Sequence, residues 1–151
     1  MEGFSISKNY SKTSVATLFL GNCLDLLSEI PDKEAKLIIT SPPYNIGKSY
    51  EGKRIPINVY IEQQTEVIRE CYRVLSDDGS ICWQIGNFVK GGEIIPLDII
   101  LYKIFKSLGL KLRNRIIWHF EHGIHCRKRF SGRHEAILWF TKGNIYWTSP
   151  R

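Results

Sequence analysis

No apolar run in this 151-residue sequence approaches the roughly 18 to 20 residues that a bilayer-spanning helix needs. The opening MEGFSISKNYSK has no continuous apolar stretch of the signal-peptide kind. Cys23, Cys71, Cys82 and Cys126 form no Cys-x-x-Cys pair, and without a secretion signal they read as reduced thiols, not as a disulfide framework. Gly-x-Gly is missing throughout, so neither a Walker loop nor a dinucleotide fingerprint is present. These absences argue against membrane, disulfide-scaffold and P-loop classes and make a cytoplasmic address the expectation. With 43% hydrophobic and 24% charged residues, the chain reads as one globular domain over residues 1–151.

Acidic residues are scarce in one stretch. Between Lys111 and Arg133, seven cations (Lys111, Arg113, Arg115, Arg127, Lys128, Arg129 and Arg133) face the single acid Glu121, so this segment holds the whole net charge of +6. Such a segment suits a polyanion such as nucleic acid. A solvated strand edge explains the charge equally well.

The pattern along the chain alternates. Val15 to Leu20 and Lys36 to Thr40 read as short strands, the second as a buried one, with a short helix from Leu24 to Ile30 halted at Pro31. Val67, Ile68, Cys71, Val74 and Leu75 recur at helical spacing and end before Asp77-Asp78-Gly79. Ser80 to Ile85 is a strand, and Leu97 to Leu108 a helix stopped at Gly109. Strands follow at Lys111 to Phe120 and Glu135 to Thr141, and beyond Lys142 the pattern ceases. The alternation predicts an α/β sheet with helices on its faces.

In such sheets ligands bind beyond the carboxyl ends of the strands. The strand Lys36 to Thr40 runs out into Ser41-Pro42-Pro43-Tyr44-Asn45. Consecutive prolines fix φ and keep the preceding residues extended, so Ser41 and the Pro42 carbonyl become acceptors at set positions. A proline turn with a packing tyrosine is the bland reading of the same letters.

The segment TSPPY resembles motif IV, (D/N/S)-P-P-(Y/F/W), of the DNA amino-methyltransferases. The blocks GNCLDLLSEIPDKEAKLIITSPPYNIGKSY, VIRECYRVLSDDGSICWQIGN, LKLRNRIIWHF and KRFSGRHEAILWFTK resemble, in order, the permuted β class in which motif IV comes first and the cofactor motif last. The resemblance implies a partial Rossmann-like methyltransferase sheet using S-adenosylmethionine on double-stranded DNA, in a restriction-modification setting. Ser41, Pro42, Pro43 and Tyr44 would then be catalytic. Hydrogen bonds accepted from an exocyclic amine strengthen as that nitrogen gains positive charge and so favour the transition state. Tyr44 would stack on a base flipped out of the duplex.

By the same resemblance, Asn22 and Cys23 stand where the family has Gly-Asp-Cys beside the cofactor; Asp25 and Thr40 complete that expected set. Lys48, Tyr50, Lys53, Arg127, Lys128, Arg129 and Arg133 are the expected DNA contacts. His122, His125, Cys126 and His134 lack the spacing of a complete tetrahedral set, and metal binding is not expected. Serine before Pro-Pro leans toward cytosine N4 over adenine N6, and both remain open. The missing Phe-x-Gly-x-Gly motif implies either a second polypeptide, or a homo-oligomer covering the sheet edges, or an inactive remnant. A non-catalytic DNA-binding module is the alternative of another class.

Overall fold

The computed structural model describes residues 6–121, 126–127 and 129–143, apart from the Tyr50 side chain. Its centre is a four-stranded mixed sheet of β3 (Ala35–Thr40), β4 (Leu75–Ile85), β7 (Lys111–His119) and β8 (His134–Thr141), in the order β3-β4-β8-β7. β3 and β4 are parallel, whereas β8 runs antiparallel to both of its neighbours. Helix α2 (Ile57–Val74) connects β3 to β4, and α3 (Leu97–Ser107) precedes β7. Four smaller pieces complete the described chain: β1 (Ile6–Ser7) pairs with β2 (Ala16–Thr17), α1 (Cys23–Glu29) precedes β3, a 3-10 turn spans Ser49–Glu51, and β5 (Asn87–Lys90) and β6 (Glu93–Pro96) form a hairpin.

One face of the sheet makes the core. Ile81, Trp83, Ile85, Leu138 and Phe140 point toward Ile68 and Cys71 of α2 and Leu97, Leu101 and Phe105 of α3. Phe105 stacks on Phe140 at 4.5 Å between centroids and meets Trp83 edge-on at 5.5 Å. Helix α3 ends as its sequence requires: Gly109 adopts φ +84°, and its N–H and that of Leu110 cap the Lys106 and Phe105 carbonyls.

The opposite face is open. Register places Leu37 and Ile39 of β3 beside Ser80 and Cys82, Cys82 beside Trp139, and Ile137 beside Ile116. Ile39 is 72% exposed and Trp118 57% exposed. β3 and β7 are also the two edges, each with a row of backbone groups that no strand of this sheet takes up. The Lys36–Thr40 run, expected to be buried, is therefore an edge strand covered on one side only. Its continuous apolar sequence has the character of a strand covered on both faces.

Other expectations also change at this level. The Val15–Leu20 strand is only the two residues of β2, and Leu18 and Leu20 beyond it are exposed. Helix α2 begins ten residues before the periodic stretch at Val67, and β4 extends back through Asp77-Asp78-Gly79 to Leu75. Arg73 joins α1 to α2: it donates to the Leu27 and Ile30 carbonyls at the C-terminal end of α1, and forms ion pairs with Asp32 and Glu70. Among the described residues no helix is long and apolar enough to cross a membrane.

Because one sheet face carries the core, substitutions on the two faces should differ sharply. Phe105→Ala is expected to cost about 3–5 kcal/mol, whereas Ile39→Thr should cost under about 1 kcal/mol and reduce self-association. Urea denaturation and sedimentation measure the two effects.

Candidate active site

β3 ends at Thr40, and the chain turns through Ser41-Pro42-Pro43 into a loop held by side chains of its own sequence. Proline leaves the corner without N–H groups, so its carbonyls must find donors elsewhere. The buried Tyr60 on α2 donates its hydroxyl to the Pro43 carbonyl at 2.9 Å. Burial drives the Tyr60 phenol well above its ordinary range, with Glu51 and Tyr44 adding to the shift, so Tyr60 stays protonated and able to donate. Among the described residues no protein donor reaches the Pro42 carbonyl. That carbonyl remains available to a ligand.

Glu51 fixes the next stretch. Its carboxylate accepts from the backbone N–H groups of Tyr44 at 2.8 Å, Gly47 at 2.7 Å and Lys48 at 3.1 Å. Burial pushes the Glu51 pKa up, but the N–H groups of Lys48, Tyr44, Gly47 and Ile46 outweigh it and leave the carboxyl below its usual value. Asn45, buried and at φ +60°, donates to the Ile55 carbonyl and accepts from the Ile55 N–H, closing the loop on itself. Arg54 donates to the Ile46 carbonyl through Nε and a terminal nitrogen.

Ser41 and Tyr44 meet at the top of the corner. Their hydroxyl oxygens are 2.9 Å apart, and Tyr44 donates to Glu135 of β8 at 3.1 Å. Gln84 of β4 donates to the same Glu135 oxygen at 2.8 Å. Tyr44 is 8% exposed, its ring lying against Gly86. A Cβ there would sit 2.9 Å from the ring, so only glycine allows this approach.

Two clefts flank the corner. The larger, about 750 Å³, is bordered by Ser41, Pro42 and Pro43 together with Asn22, Cys23 and Thr40. The structure thus brings three of the four expected catalytic residues together with three of the four expected cofactor residues. Asp25 is exposed in the first turn of α1 and does not border this cleft. Asn22 accepts from the Leu24 N–H at 3.1 Å and so caps α1, leaving its amide nitrogen for other partners. Buried Gln64 Oε1 and Trp83 Nε1 have no partner among the described residues, and both residues border the cleft. An unpaired acceptor and donor beside the apolar Leu27, Ile38 and Val67 suit a ligand that is part polar and part aromatic. They are compatible with one wall of an S-adenosylmethionine site.

Tyr44 and Glu135 border the smaller cleft, about 260 Å³, together with Phe120 and Arg129. Of the expected DNA contacts, Lys48, Lys53, Arg127 and Arg133 are exposed and Arg129 is half-buried. Lys128 and the Tyr50 side chain lie outside the described residues, as do His122 and His125. Part of the basic segment is committed internally: Arg115 pairs with Asp98 of α3, and Arg113 donates to Thr141 and to the Gly143 carbonyl.

The family model of the N6/N4 DNA methylases matches residues 35–151, which contain the corner, its clamp and Glu135. The chain belongs to the DNA methylase family. It is 47% identical over 142 residues to the type II methyltransferase M.BglII of Bacillus subtilis, covering 93% of this chain and 39% of that relative. The DNA adenine methyltransferase YhdJ of Escherichia coli is 32% identical over 130 residues, with 83% and 41% covered. In structure the chain is similar to the cytosine-N4-specific PvuII DNA methyltransferase, with a TM-score of 0.68 and 21% identity over 82% of this chain and 48% of that one. A DNA methylase of Thermus thermophilus solved with S-adenosyl-L-methionine gives a TM-score of 0.67 at 23% identity, over 87% and 55%. The fold is thus a partial Rossmann-like methyltransferase sheet. The chain spans about two fifths of the length of these curated relatives.

The residues that the motif did not reveal are Glu51, Asn45, Tyr60, Gln84 and Glu135. A depressed Glu51 pKa adds stability above the ordinary glutamate range and loses it as pH falls through the lower folded value. Glu51→Ala should therefore destabilise the protein by about 1–2 kcal/mol at neutral pH and flatten the acid limb of its stability profile. Denaturant midpoints measured from neutral into acid pH check both effects.

Proposed function

We propose that this chain is the catalytic segment of a DNA amino-methyltransferase that methylates an exocyclic base nitrogen. The supporting observation is the strand-end corner, where the Ser41 hydroxyl and the unclaimed Pro42 carbonyl border one cleft with Asn22, Cys23 and Thr40. An exocyclic amine is a poor nucleophile because its lone pair is delocalised into the base. Ser41 Oγ and the Pro42 carbonyl take one amine N–H each, drawing the nitrogen toward tetrahedral geometry and releasing the pair. Both bonds strengthen as the nitrogen becomes positive, which lowers the barrier.

S-adenosylmethionine, when bound, supplies an electrophilic methyl group on a sulfonium. Asn22, Cys23 and Thr40, with Gln64 and Trp83, are the residues of this chain that would hold it. The glycine-rich wall comes from a second polypeptide or a further segment, which would also pair with β3 and cover the open face bearing Leu37 and Ile39. Burial of each such side chain contributes about 1.5–3 kcal/mol to that union. A self-associated pair of these chains covers the edges without supplying the glycine loop.

Duplex DNA is the proposed macromolecular substrate, acted on in the cytoplasm. Lys48, Lys53, Arg127, Arg129 and Arg133 contact phosphates, and the flipped base brings its amine to the Ser41–Pro42 corner. Cytosine N4 is slightly favoured by Ser41 at the head of Pro-Pro, with adenine N6 the competing target.

Ser41→Ala should lower single-turnover methyl transfer from labelled S-adenosylmethionine to duplex DNA by roughly 100-fold. The comparison is made in the protein that carries this chain, with DNA affinity held within a few-fold. Unchanged transfer in Ser41→Ala contradicts the reading. Salt-dependent DNA binding indifferent to S-adenosylmethionine, with no transfer by the wild type, identifies a non-catalytic DNA-binding module instead.

A further inference from the structure

A serine hydroxyl can turn either its proton or its lone pairs toward a substrate, and only the second helps an amine. We propose that Glu135 is a positioning residue that sets this choice, acting on Ser41 through Tyr44. The inference rests on the reading of the corner given above.

The direction follows from counting protons. An ionised carboxylate only accepts hydrogen bonds. Tyr44 has one hydroxyl proton and donates it to Glu135 at 3.1 Å. The 2.9 Å bond between Ser41 and Tyr44 must then be donated by Ser41. With its single proton committed, Ser41 keeps its lone pairs for the larger cleft, which it borders. An amine N–H placed there meets an acceptor and never a competing donor.

The far end of the chain is fixed as well. Gln84 donates at 2.8 Å to the same Glu135 oxygen that receives the Tyr44 hydroxyl. Gln84 and Glu135 sit on adjacent antiparallel strands: Ile85 opposes Ala136 and Gln84 opposes Ile137. Gly86, at the end of β4, lets the Tyr44 ring close over this point, and a Cβ there would also come within 3.5 Å of the other Glu135 oxygen. Sheet register therefore holds the acceptor, and the buried tyrosine transmits its polarity to the corner. Hydrogen bonds in such a chain polarise one another, so a fixed direction also strengthens Ser41 as an acceptor.

Two substitutions separate polarity from charge. Glu135→Gln can place its amide oxygen where the carboxylate oxygen now lies, preserving the chain's direction without the charge. Glu135→Met has similar length and no oxygen acceptor, so the Tyr44 proton turns to Ser41 and the serine proton turns outward. Single-turnover methyl transfer should stay within about threefold of wild type in Glu135→Gln. It should fall at least tenfold in Glu135→Met, with KM for DNA and for S-adenosylmethionine within twofold. Tyr44→Phe should fall similarly, and the double variant Glu135→Met, Tyr44→Phe should be no worse than either, because both break one chain.

A second readout needs no activity. In this chain alone, the Raman doublet of Tyr44, isolated by subtracting the Tyr44→Phe spectrum, should report a hydrogen-bond donor in wild type and Glu135→Gln. In Glu135→Met it should lose its carboxylate-donor character. Equal rate losses in Glu135→Gln and Glu135→Met would overturn the proposal in favour of a role for charge. A Tyr44 doublet insensitive to Glu135→Met would overturn it outright. If the wild type transfers no methyl group while the doublet responds as expected, the hydrogen-bond polarity stands and the methyltransferase reading fails.

Discussion

A strand that ends in two prolines leaves its chain with carbonyls and no N–H groups to pair them, and the surrounding structure answers that shortage. Tyr60 supplies a donor to the Pro43 carbonyl, whereas the Pro42 carbonyl has no protein donor among the described residues. The asymmetry leaves the turn with one anchored carbonyl and one unclaimed. One carbonyl locks the corner to α2, and its neighbour stays available beside Ser41. Glu51 and Asn45 then immobilise the loop beyond, gathering three backbone N–H groups on one carboxylate and closing the chain onto Ile55. Acceptors held this way need no reorganisation when charge develops on a bound nitrogen.

The same corner is attached to the sheet, and the first helix to the second. Tyr44 passes over Gly86 to Glu135, tying the loop after β3 to the ends of β4 and β8. Arg73 ties α1, which Asn22 caps and Cys23 begins, to α2. The expected cofactor residues and the expected catalytic residues thus reach one cleft from separate elements, both braced by α2. The open face behind them carries Ile39 and Trp118 and has the apolar character of an interior surface.

What could be read in the sequence was local. Helix α1, the C-terminal half of α2, α3 with its Gly109 stop, and strands β7 and β8 follow from periodicity and from Gly and Pro placement. The corner itself followed from Pro42-Pro43 and the run before it. Four features did not follow. The N-terminal part of α2 places the polar Gln64 on its buried face, so the apolar periodicity is interrupted before Val67. The β5–β6 hairpin turns on Gly91-Gly92, which the strand pattern did not flag. The apolar run in β3 carries the same letters whether one or both faces are covered, so its exposed face was invisible, although the family resemblance implied an uncovered edge. Glu51, Gln84 and Glu135 are ordinary polar residues until folding brings them to Tyr44; Glu135 lies 91 positions away from it.

The central claim is that Ser41 Oγ and the Pro42 carbonyl receive an exocyclic amine. The most direct measurement is a structure of the protein carrying this chain with duplex DNA and a non-transferring analogue of S-adenosylmethionine. The expected result is a flipped cytosine or adenine whose amino nitrogen lies about 2.7–3.2 Å from both oxygens. A base left stacked in the duplex, or flipped with its amine away from residues 41 and 42, would contradict the account.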